Sequence, residues 1–282
     1  MVASKAVELA DKKLINAASL GVTAGALSRK ADEVARRGLG SWADPTDEDR
    51  AGAAAMARLR AASPDPLVLR LPHVPLSVRL HALIPDELAY YLAVGDYEQH
   101  DLALLTRFVR PGDRVLNLGG GVGVVAAWSA TLSRAPVTVV DARSDLLEII
   151  ADTLSLNGVE GTCRQAAVHD GVPDATALSF MVSAGLLFSS LDGTEGRSVE
   201  VPSVTLSTLL RAHSPDVLIV DIEGAERHME FRNWPHRPRV ILMEIHTPSL
   251  GTSALCDILM RLASTGYRAT DVGWHTWVFV DS

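Results

Sequence analysis

Cysteines, aromatic residues and long apolar runs are all scarce in this chain of 282 residues. Its two cysteines, Cys163 and Cys256, lie too far apart for the paired spacing of a zinc site, and we interpret both as core residues of a protein in a reducing compartment. No segment approaches the roughly 20 apolar residues that a membrane-spanning helix needs. The N-terminal segment carries charges throughout and lacks the apolar centre of a secretory signal. These absences predict a cytoplasmic protein without a membrane partner.

Positive charge is also limited. The chain has 26 lysines and arginines against 34 aspartates and glutamates, which gives a net charge of −8. Because a nucleic-acid-binding surface is basic, we expect no nucleic-acid partner. The hydrophobic content of 48% supports a sizeable core.

The first part of the chain differs in composition from the rest. It is rich in alanine, leucine and charged residues and predicts two or three helices, the last of which has Thr46 as its N-cap. The prolines of Ser63-Pro-Asp-Pro66 mark a boundary, so we predict a helical appendage at 1–63 and a main domain at 64–282. We expect the appendage to pack across a homodimer or to cover a cleft of the main domain.

From Arg114 onward, apolar strands alternate with helical segments, which predicts an α/β fold with a mostly parallel sheet. The end differs, because two β-like runs flank Gly273 and predict an antiparallel hairpin. Residues 171–204 predict an extra hairpin over one edge. The predicted strands are 67–71, 76–81, 114–118, 137–140, 162–167, 217–220, 239–244, 267–272 and 276–280, and the predicted helices are 98–109, 124–133, 145–156, around 225–230, and 252–264.

A glycine-rich turn follows the strand at 114–118. The segment Asn117-Leu-Gly-Gly-Gly-Val-Gly123 leads into a helix, and Asp141 ends the next strand. Such a turn lets backbone approach a ligand, and the acid accepts hydrogen bonds from ribose hydroxyls, so the pattern predicts an adenosine-binding site. An NAD-dependent oxidoreductase shares this pattern, but the terminal hairpin is unusual for that class and no hydride-transfer set is present.

Acidic residues follow two neighbouring strands of the predicted sheet. Asp221 and Glu223 come after the strand at 217–220, and Glu244 and His246 end the strand at 239–244. Because the carboxyl ends of parallel strands meet at one edge, these side chains are expected in the active site. If a helix starts near Glu223, Glu226 shares its face, although Glu226 fits a helix start equally well.

The chain resembles the FkbM-type family of S-adenosylmethionine-dependent methyltransferases over about residues 67–282. Four segments carry the resemblance: Tyr97-Glu98, Asn117-Leu-Gly-Gly-Gly-Val-Gly123, Asp221-Ile-Glu-Gly-Ala-Glu226 and Met243-Glu-Ile-His246. It implies a Rossmann-like class I methyltransferase fold, with a mostly parallel seven-stranded sheet and a C-terminal antiparallel hairpin, here preceded by N-terminal helices. It also implies S-adenosyl-L-methionine as the cofactor.

The resemblance also implies which residues hold that cofactor. One departure stands out, because the family usually has an acid where this chain has Asn117, and an uncharged amide weakens binding of the cofactor's ammonium group by roughly 1–3 kcal/mol. Ala166 lies where the adenine edge is usually contacted, and Arg143 either flanks the adenine or is solvated. The implied cofactor-binding residues are Tyr97, Glu98, Asn117, Gly119, Gly121, Gly123, Asp141, Ala142, Arg143, Ala166 and Asp221.

We predict O-methylation of a hydroxyl group on a small-molecule acceptor, a natural product or a sugar. His246 is the expected general base, because its unperturbed pKa of about 6.5 lies near neutral pH, and the expected acids beside it are Asp221, Glu223 and Glu244. No residue is assigned as a metal ligand, although this same set could offer oxygen ligands to Mg²⁺. The alternative to an enzyme is a non-catalytic scaffold that binds the cofactor and recruits a partner.

Overall fold

The computed structural model describes residues 14–15, 45–183, 191 and 196–282. Most of the segment predicted to form the first helices therefore lies outside the described residues. One part of this segment is described: Leu14–Ile15 forms a short strand, β1, whose backbone pairs with Val68 and Leu69 of a later strand. The chain forms two compact units, Met1–Gln99 and His100–Ser282. This division falls after the boundary predicted at residue 63, which stays a prediction.

Among its described residues, the first unit has two helices and a small sheet. Its elements are α1 (Asp47–Ala62), β2 (Val68–Arg70), β3 (Ser77–Arg79) and α2 (Asp86–Val94). Thr46 is the N-cap of α1, as predicted, and shares a capping box with Asp49. Helix α2 was not predicted, because six of its nine residues are buried and its sequence lacks the polar face of a surface helix.

The second unit is an α/β fold. Its strands are β4 (Val115–Leu118), β5 (Val137–Asp141), β6 (Gly161–Gln165), β7 (Ala167–Val168), β8 (Ala177–Val182), β9 (Arg197–Val204), β10 (Val217–Val220), β11 (Val240–Glu244), β12 (Tyr267–Gly273) and β13 (Thr276–Asp281). Its helices are α3 (Gln99–Phe108), α4 (Val124–Ser133), α5 (Ser144–Leu156), α6 (Leu206–His213) and α7 (Thr247–Ser264).

Seven strands form the main sheet in the order β12-β13-β11-β10-β4-β5-β6. All neighbours are parallel except β13, which is antiparallel to both β11 and β12. Strands β4 and β10 are buried at every position, as expected for central strands of a parallel sheet. The predicted fold class, a Rossmann-like methyltransferase sheet with a C-terminal antiparallel hairpin, is confirmed.

The strand register brings the segments that follow β4, β10 and β11 to one edge of the sheet. Leu118 pairs with Val220, and Val220 pairs with Met243. The chain continues from these residues into the glycine turn, into Asp221 and into Glu244. The backbone register alone therefore brings the glycine turn and the predicted acids to one edge of the sheet.

Several predicted boundaries are wrong. The strand predicted at 162–167 ends at Gln165, because Ala167–Val168 leaves the main sheet to pair with β9, which also pairs with β8 in the predicted extra hairpin. The last helix, α7, is interrupted at Gly251, where φ is +80°; the segment after this break matches the helix predicted at 252–264, and the turn that begins at Thr247 was not predicted. Helix α6 was not predicted.

The cysteines do not both lie in the core. Both are free thiols; Cys163 is half-buried on β6, whereas Cys256 is exposed on α7, so its interpretation as a core residue is wrong. Periodicity in the sequence did not reveal the outer face of α7, because Gly251 interrupts its first turns. No helix among the described residues has the length and apolarity to cross a membrane.

We predict that Gly119→Ala destabilises the protein more than Gly112→Ala does. Both glycines have left-handed backbone, with φ of +85° and +90°, so either alanine costs about 1–2 kcal/mol of strain. At Gly119 the new Cβ would also lie 1.7 Å from the carbonyl oxygen of Asp221, whereas at Gly112 it meets no described atom within 4 Å. The collision should add about 1–3 kcal/mol. Urea unfolding measures both losses, and equal losses would contradict this packing.

Candidate active site

The glycine turn is shaped by close packing of backbone. Gly119 lies against Asp221 so closely that it has no room for a Cβ. Gly123 has φ of +84° and is the N-cap of α4, and a Cβ there would lie 3.0 Å from the Cβ of Thr153 on α5. The turn and Asp221 are therefore in direct contact, and a ligand held by one lies beside the other.

Asp141 ends β5 and holds the glycine turn in place. Its Oδ2 accepts a hydrogen bond from the Gly120 N–H at 2.7 Å, and its Oδ1 accepts one from the Arg143 N–H at 2.8 Å. Burial raises the pKa of the Asp141 carboxyl, while these N–H groups act in the opposite direction. The Gly121 N–H also hydrogen-bonds to this carboxyl. A carboxylate has about four acceptor positions, so three backbone N–H groups leave one for the ribose hydroxyl predicted from the sequence.

Asn117 is a buried polar side chain on β4. It is fully inaccessible to solvent, and neither its Oδ1 nor its Nδ2 has a hydrogen-bond partner among the residues that the structure describes. An unsatisfied buried amide costs about 1–3 kcal/mol. The amide stands two residues before Gly119, so a polar ligand at the glycine turn would be in the right place to satisfy it.

The other predicted cofactor contacts surround Asp141 or lie in the first unit. The backbone N–H of Ala166 donates to the carbonyl oxygen of Asp141 at 3.0 Å. Arg143 is buried rather than solvated and pairs with Asp145 at 2.7 Å, while the carbonyl oxygen of Ala142 accepts a hydrogen bond from the side chain of Gln165. The cofactor contacts of Ala142, Arg143 and Ala166 stay predictions.

Tyr97 and Glu98 precede α3 at the end of the first unit. The backbone N–H of Tyr97 donates to the carbonyl oxygen of Tyr91, and Glu98 has left-handed backbone with φ of +57°. A non-glycine residue in this region is uncommon and suits a turn between two helices. Their predicted role at the methionine end of the cofactor stays a prediction.

Four acidic side chains surround the imidazole of His246, the N-cap residue of α7. On one side of the ring, Nε2 lies 3.2 Å from Glu223 Oε2, 3.5 Å from Asp221 Oδ1 and 3.9 Å from Glu244 Oε1. On the other side, Nδ1 lies 2.9 Å from Glu226 Oε1. The structure thus brings together all four residues predicted to be catalytic, and we name these five residues the acidic cluster.

Glu226 occupies a different place from the one that the sequence suggested. Glu223 and Gly224 both have left-handed backbone, with φ of +53° and +98°, and a single 3₁₀ turn at Ala225–His228 replaces the expected helix. The expected helical face shared by Glu223 and Glu226 is therefore wrong. The reversal instead brings Glu223 to Nε2 of His246 and buries Glu226 completely against Nδ1.

The acids change the protonation of the cluster. Burial disfavours a charge on His246, but hydrogen bonds to Glu223 and Glu226 and the charges of Glu226 and Asp221 outweigh it and raise its pKa to about 12. Burial also raises the pKa of Glu244 to about 8, and burial together with the charge of Glu244 raises that of Asp221 well above its ordinary value. His246 is therefore an imidazolium at neutral pH, and the expectation of an unperturbed pKa near 6.5 is wrong.

Two residues near the cluster carried no signal in the sequence. The charge of Asp101, on α3, raises the pKa of both Asp221 and Glu244, and its Oδ1 accepts a hydrogen bond from Thr276 at 2.6 Å. His275, in the turn of the last hairpin, is buried, and burial together with the charge of His246 lowers its pKa to about 4. Neither residue belongs to a strand-end motif, because α3 and the hairpin turn reach this edge only in the folded sheet.

We expect Glu226→Ala to lower the free energy of unfolding by about 3–5 kcal/mol, the cost of removing one partner from a buried ion pair. Glu226 is fully buried against His246, so its loss leaves a buried imidazolium with less compensation. Glu200→Ala, at an exposed position on β9 of the same unit, is the matched control and should change stability by less than about 0.5 kcal/mol. Equal stabilities of the two variants in urea unfolding would refute the proposed pair.

Comparison with solved structures finds only low similarity. A methyltransferase from Pyrococcus furiosus is 13% identical, with a TM-score of 0.42 over 84% of this chain and 100% of that chain. A fibrillarin from Aeropyrum pernix, in complex with natively bound S-adenosyl-L-methionine, is 13% identical, with a TM-score of 0.38 over 64% of this chain and 73% of that chain. Similarities this low carry no argument about ligand or activity.

Sequence comparison is more specific. Comparison with curated proteins gives no match. A family model described as the methyltransferase FkbM domain matches residues 92–269, which include the glycine turn, Asp141 and the acidic cluster. Because this match spans more than half of the chain, the protein belongs to the FkbM family of S-adenosylmethionine-dependent methyltransferases.

Proposed function

We propose that this protein transfers the methyl group of S-adenosyl-L-methionine to a hydroxyl oxygen of a small-molecule acceptor, a natural product or a sugar. The observation that carries the proposal is the contact between the glycine turn and the acidic cluster, where Gly119 packs against the backbone of Asp221. This contact puts the cofactor-binding turn and the charged groups at one edge of the sheet, where open α/β sheets bind their ligands.

The residues at the turn fit the cofactor that the family implies. Asn117 offers a buried amide that lacks a partner among the described residues, and Asp141 keeps an acceptor position for a ribose hydroxyl. When bound, the cofactor supplies an electrophilic methyl group. The chain must then align the acceptor oxygen with that group and exclude water, and alignment can lower the activation barrier by several kcal/mol.

A hydroxyl acceptor also has to lose a proton, and the acidic cluster is where we place this transfer. His246 already carries a proton at neutral pH, so we assign it to the orientation of Asp221 and Glu223 rather than to the role of base. Burial raises the pKa of Glu244 to about 8, which is close to neutral pH, so we assign the role of base to this carboxyl. General-base catalysis of this kind contributes typically 10²–10⁴-fold, and the Mg²⁺ considered from the sequence is not needed for it.

The binding half of the proposal is tested by calorimetry with S-adenosyl-L-methionine, S-adenosyl-L-homocysteine and NAD. We expect the first two to bind and NAD not to bind. Asp141→Asn keeps an acceptor for the Gly120 N–H but loses the charge, so it should weaken binding about 10- to 100-fold, the range for a hydrogen bond to a charged group. Glu148→Gln, at an exposed acid on α5, is the matched control and should bind like the unmodified protein.

A screen of small molecules with hydroxyl or amine groups then tests the chemical half, with transfer of labelled methyl as the readout. Methylation of amines alone would overturn O-methylation. Cofactor binding without turnover on any acceptor would favour the non-catalytic scaffold, and binding of NAD would favour the oxidoreductase. Dimerisation through residues 1–63 and the absence of a nucleic-acid partner stay predictions.

Asn117→Leu separates a functional role of the buried amide from a structural one. Leucine has a similar shape and no polar atoms. The free energy of unfolding of the variant should therefore be about 1–3 kcal/mol higher, while its affinity for S-adenosyl-L-methionine falls. Asn157→Leu is the contrasting variant, because the side chain of Asn157 donates to the carbonyl oxygen of Thr153 and its loss should lower stability. If Asn117→Leu also lowered stability, the amide would have a structural partner and the argument for a ligand would fail.

A further inference from the structure

We infer that the acidic cluster contains a binding site for one divalent transition-metal ion, with His246, Asp221 and Glu223 as its ligands. The three ligand atoms lie within 4.8 Å of one another. Nε2 of His246 is 3.2 Å from Glu223 Oε2 and 3.5 Å from Asp221 Oδ1. Two ligands held about 2.1 Å from an ion, at right angles to each other, are separated by about 3 Å, so one ion reaches all three atoms.

The second nitrogen of His246 is held in the way that metal-binding histidines require. Nδ1 lies 2.9 Å from Oε1 of Glu226, whose side chain is fully buried. A histidine that binds a metal usually donates its other ring N–H to a carboxylate, which fixes the tautomer and the orientation of the ring. Because Glu226 holds Nδ1, the other nitrogen, Nε2, faces Asp221 and Glu223. A group of exposed acids with no ligand would not need a buried carboxylate to orient the histidine.

Asp221 presents an unsatisfied atom to the same point. Its Oδ1 is buried and accepts no hydrogen bond from any residue in the part of the chain that the structure describes, although it faces Nε2 of His246. The Asp221 side chain as a whole is 35% exposed, and the Glu223 side chain is 31% exposed. The site is thus buried on the side of His246 and open on the side of the carboxylates, which gives an ion an entry path and room for water ligands.

The surroundings of the ring also suit a metal ion. Four carboxylates approach one imidazole ring, and three of them lie on the side of Nε2. An ammonium group of a substrate can only donate hydrogen bonds and cannot use the lone pair of Nε2. A metal ion displaces the proton of Nε2, which passes to solvent, and then binds that nitrogen and the carboxylates of Asp221 and Glu223 together.

The ligand types select the class of ion. Mg²⁺ and Ca²⁺ take oxygen ligands, whereas imidazole suits Zn²⁺, Fe²⁺ and other transition metals, and Mn²⁺ accepts both. One imidazole with two carboxylates therefore favours a transition-metal ion such as Mn²⁺ over the Mg²⁺ considered from the sequence. The inference does not depend on methyl transfer, because the three ligands need neither cofactor nor acceptor to bind the ion.

Titration of the full-length, tag-free protein with MnCl₂, in the absence of cofactor, tests the site by the electron paramagnetic resonance signal of free Mn²⁺. We expect one ion per chain and at least ten-fold weaker binding of Mg²⁺ in competition. Glu223→Gln should reduce the affinity for Mn²⁺ at least ten-fold. Glu226→Gln, which removes no ligand, should reduce it about 10- to 100-fold through the orientation of His246.

Glu200→Gln is the matched control, because it removes one acidic charge from an exposed position of the same unit and should leave Mn²⁺ binding unchanged. Circular dichroism verifies that each variant is folded, and Asp221→Asn replaces Glu223→Gln if the latter does not fold. The inference is overturned if the unmodified protein binds no Mn²⁺, if Glu223→Gln binds as the control does, or if Mg²⁺ binds as tightly as Mn²⁺. Failure here leaves cofactor binding intact, so it is distinguishable from failure of the proposed function.

Discussion

The contact between the backbone of Gly119 and that of Asp221 is the constraint on which the site depends. The register of β4 and β10 fixes it, because Leu118 pairs with Val220 and the chain continues from both at the same level. Any side chain on Gly119 would force these two strand ends apart. The same packing that requires glycine therefore places the cofactor turn beside the acids, so the stability of the sheet and the arrangement of the site share one cause.

The second constraint is electrostatic and concerns His246. A histidine in isolation titrates near neutral pH, and this is why it is so often the base in enzymes. Here Glu223 and Glu226 bind opposite nitrogens of the ring, and their combined effect exceeds the cost of burying its charge. With no metal ion bound, the ring is a cation that orients its neighbours, and we assign the acceptance of a proton to the carboxylates.

The sequence predicted the fold well because its signals are local. Glycine turns, apolar strands and the hairpin around Gly273 each depend on a few consecutive residues, and the parallel direction of most strands follows from their alternation with helices. The errors concern features that only tertiary contacts decide. The left-handed backbone at Glu223 replaced a helix by a 3₁₀ turn, and Asp101 reaches the cluster from a distant helix. The proximity of the acids to His246 was predictable from the strand ends, whereas their protonation was not, because it depends on neighbours that the sequence does not place.

Two buried polar side chains differ in whether the protein itself supplies their hydrogen-bond partners, and this difference distinguishes a structural role from a ligand-binding one. Glu226 and Asn117 are both inaccessible to solvent. Glu226 has a charged partner in His246 for its Oε1, whereas its Oε2 has none among the described residues, so its burial is compensated in part within the protein and its role is to support the site. Neither polar atom of the Asn117 side chain has a partner among the described residues, so nothing in that part of the chain compensates its burial. An apolar residue would make the free protein more stable, and a polar one at this position is therefore best explained by the cofactor that the turn beside it is shaped to hold.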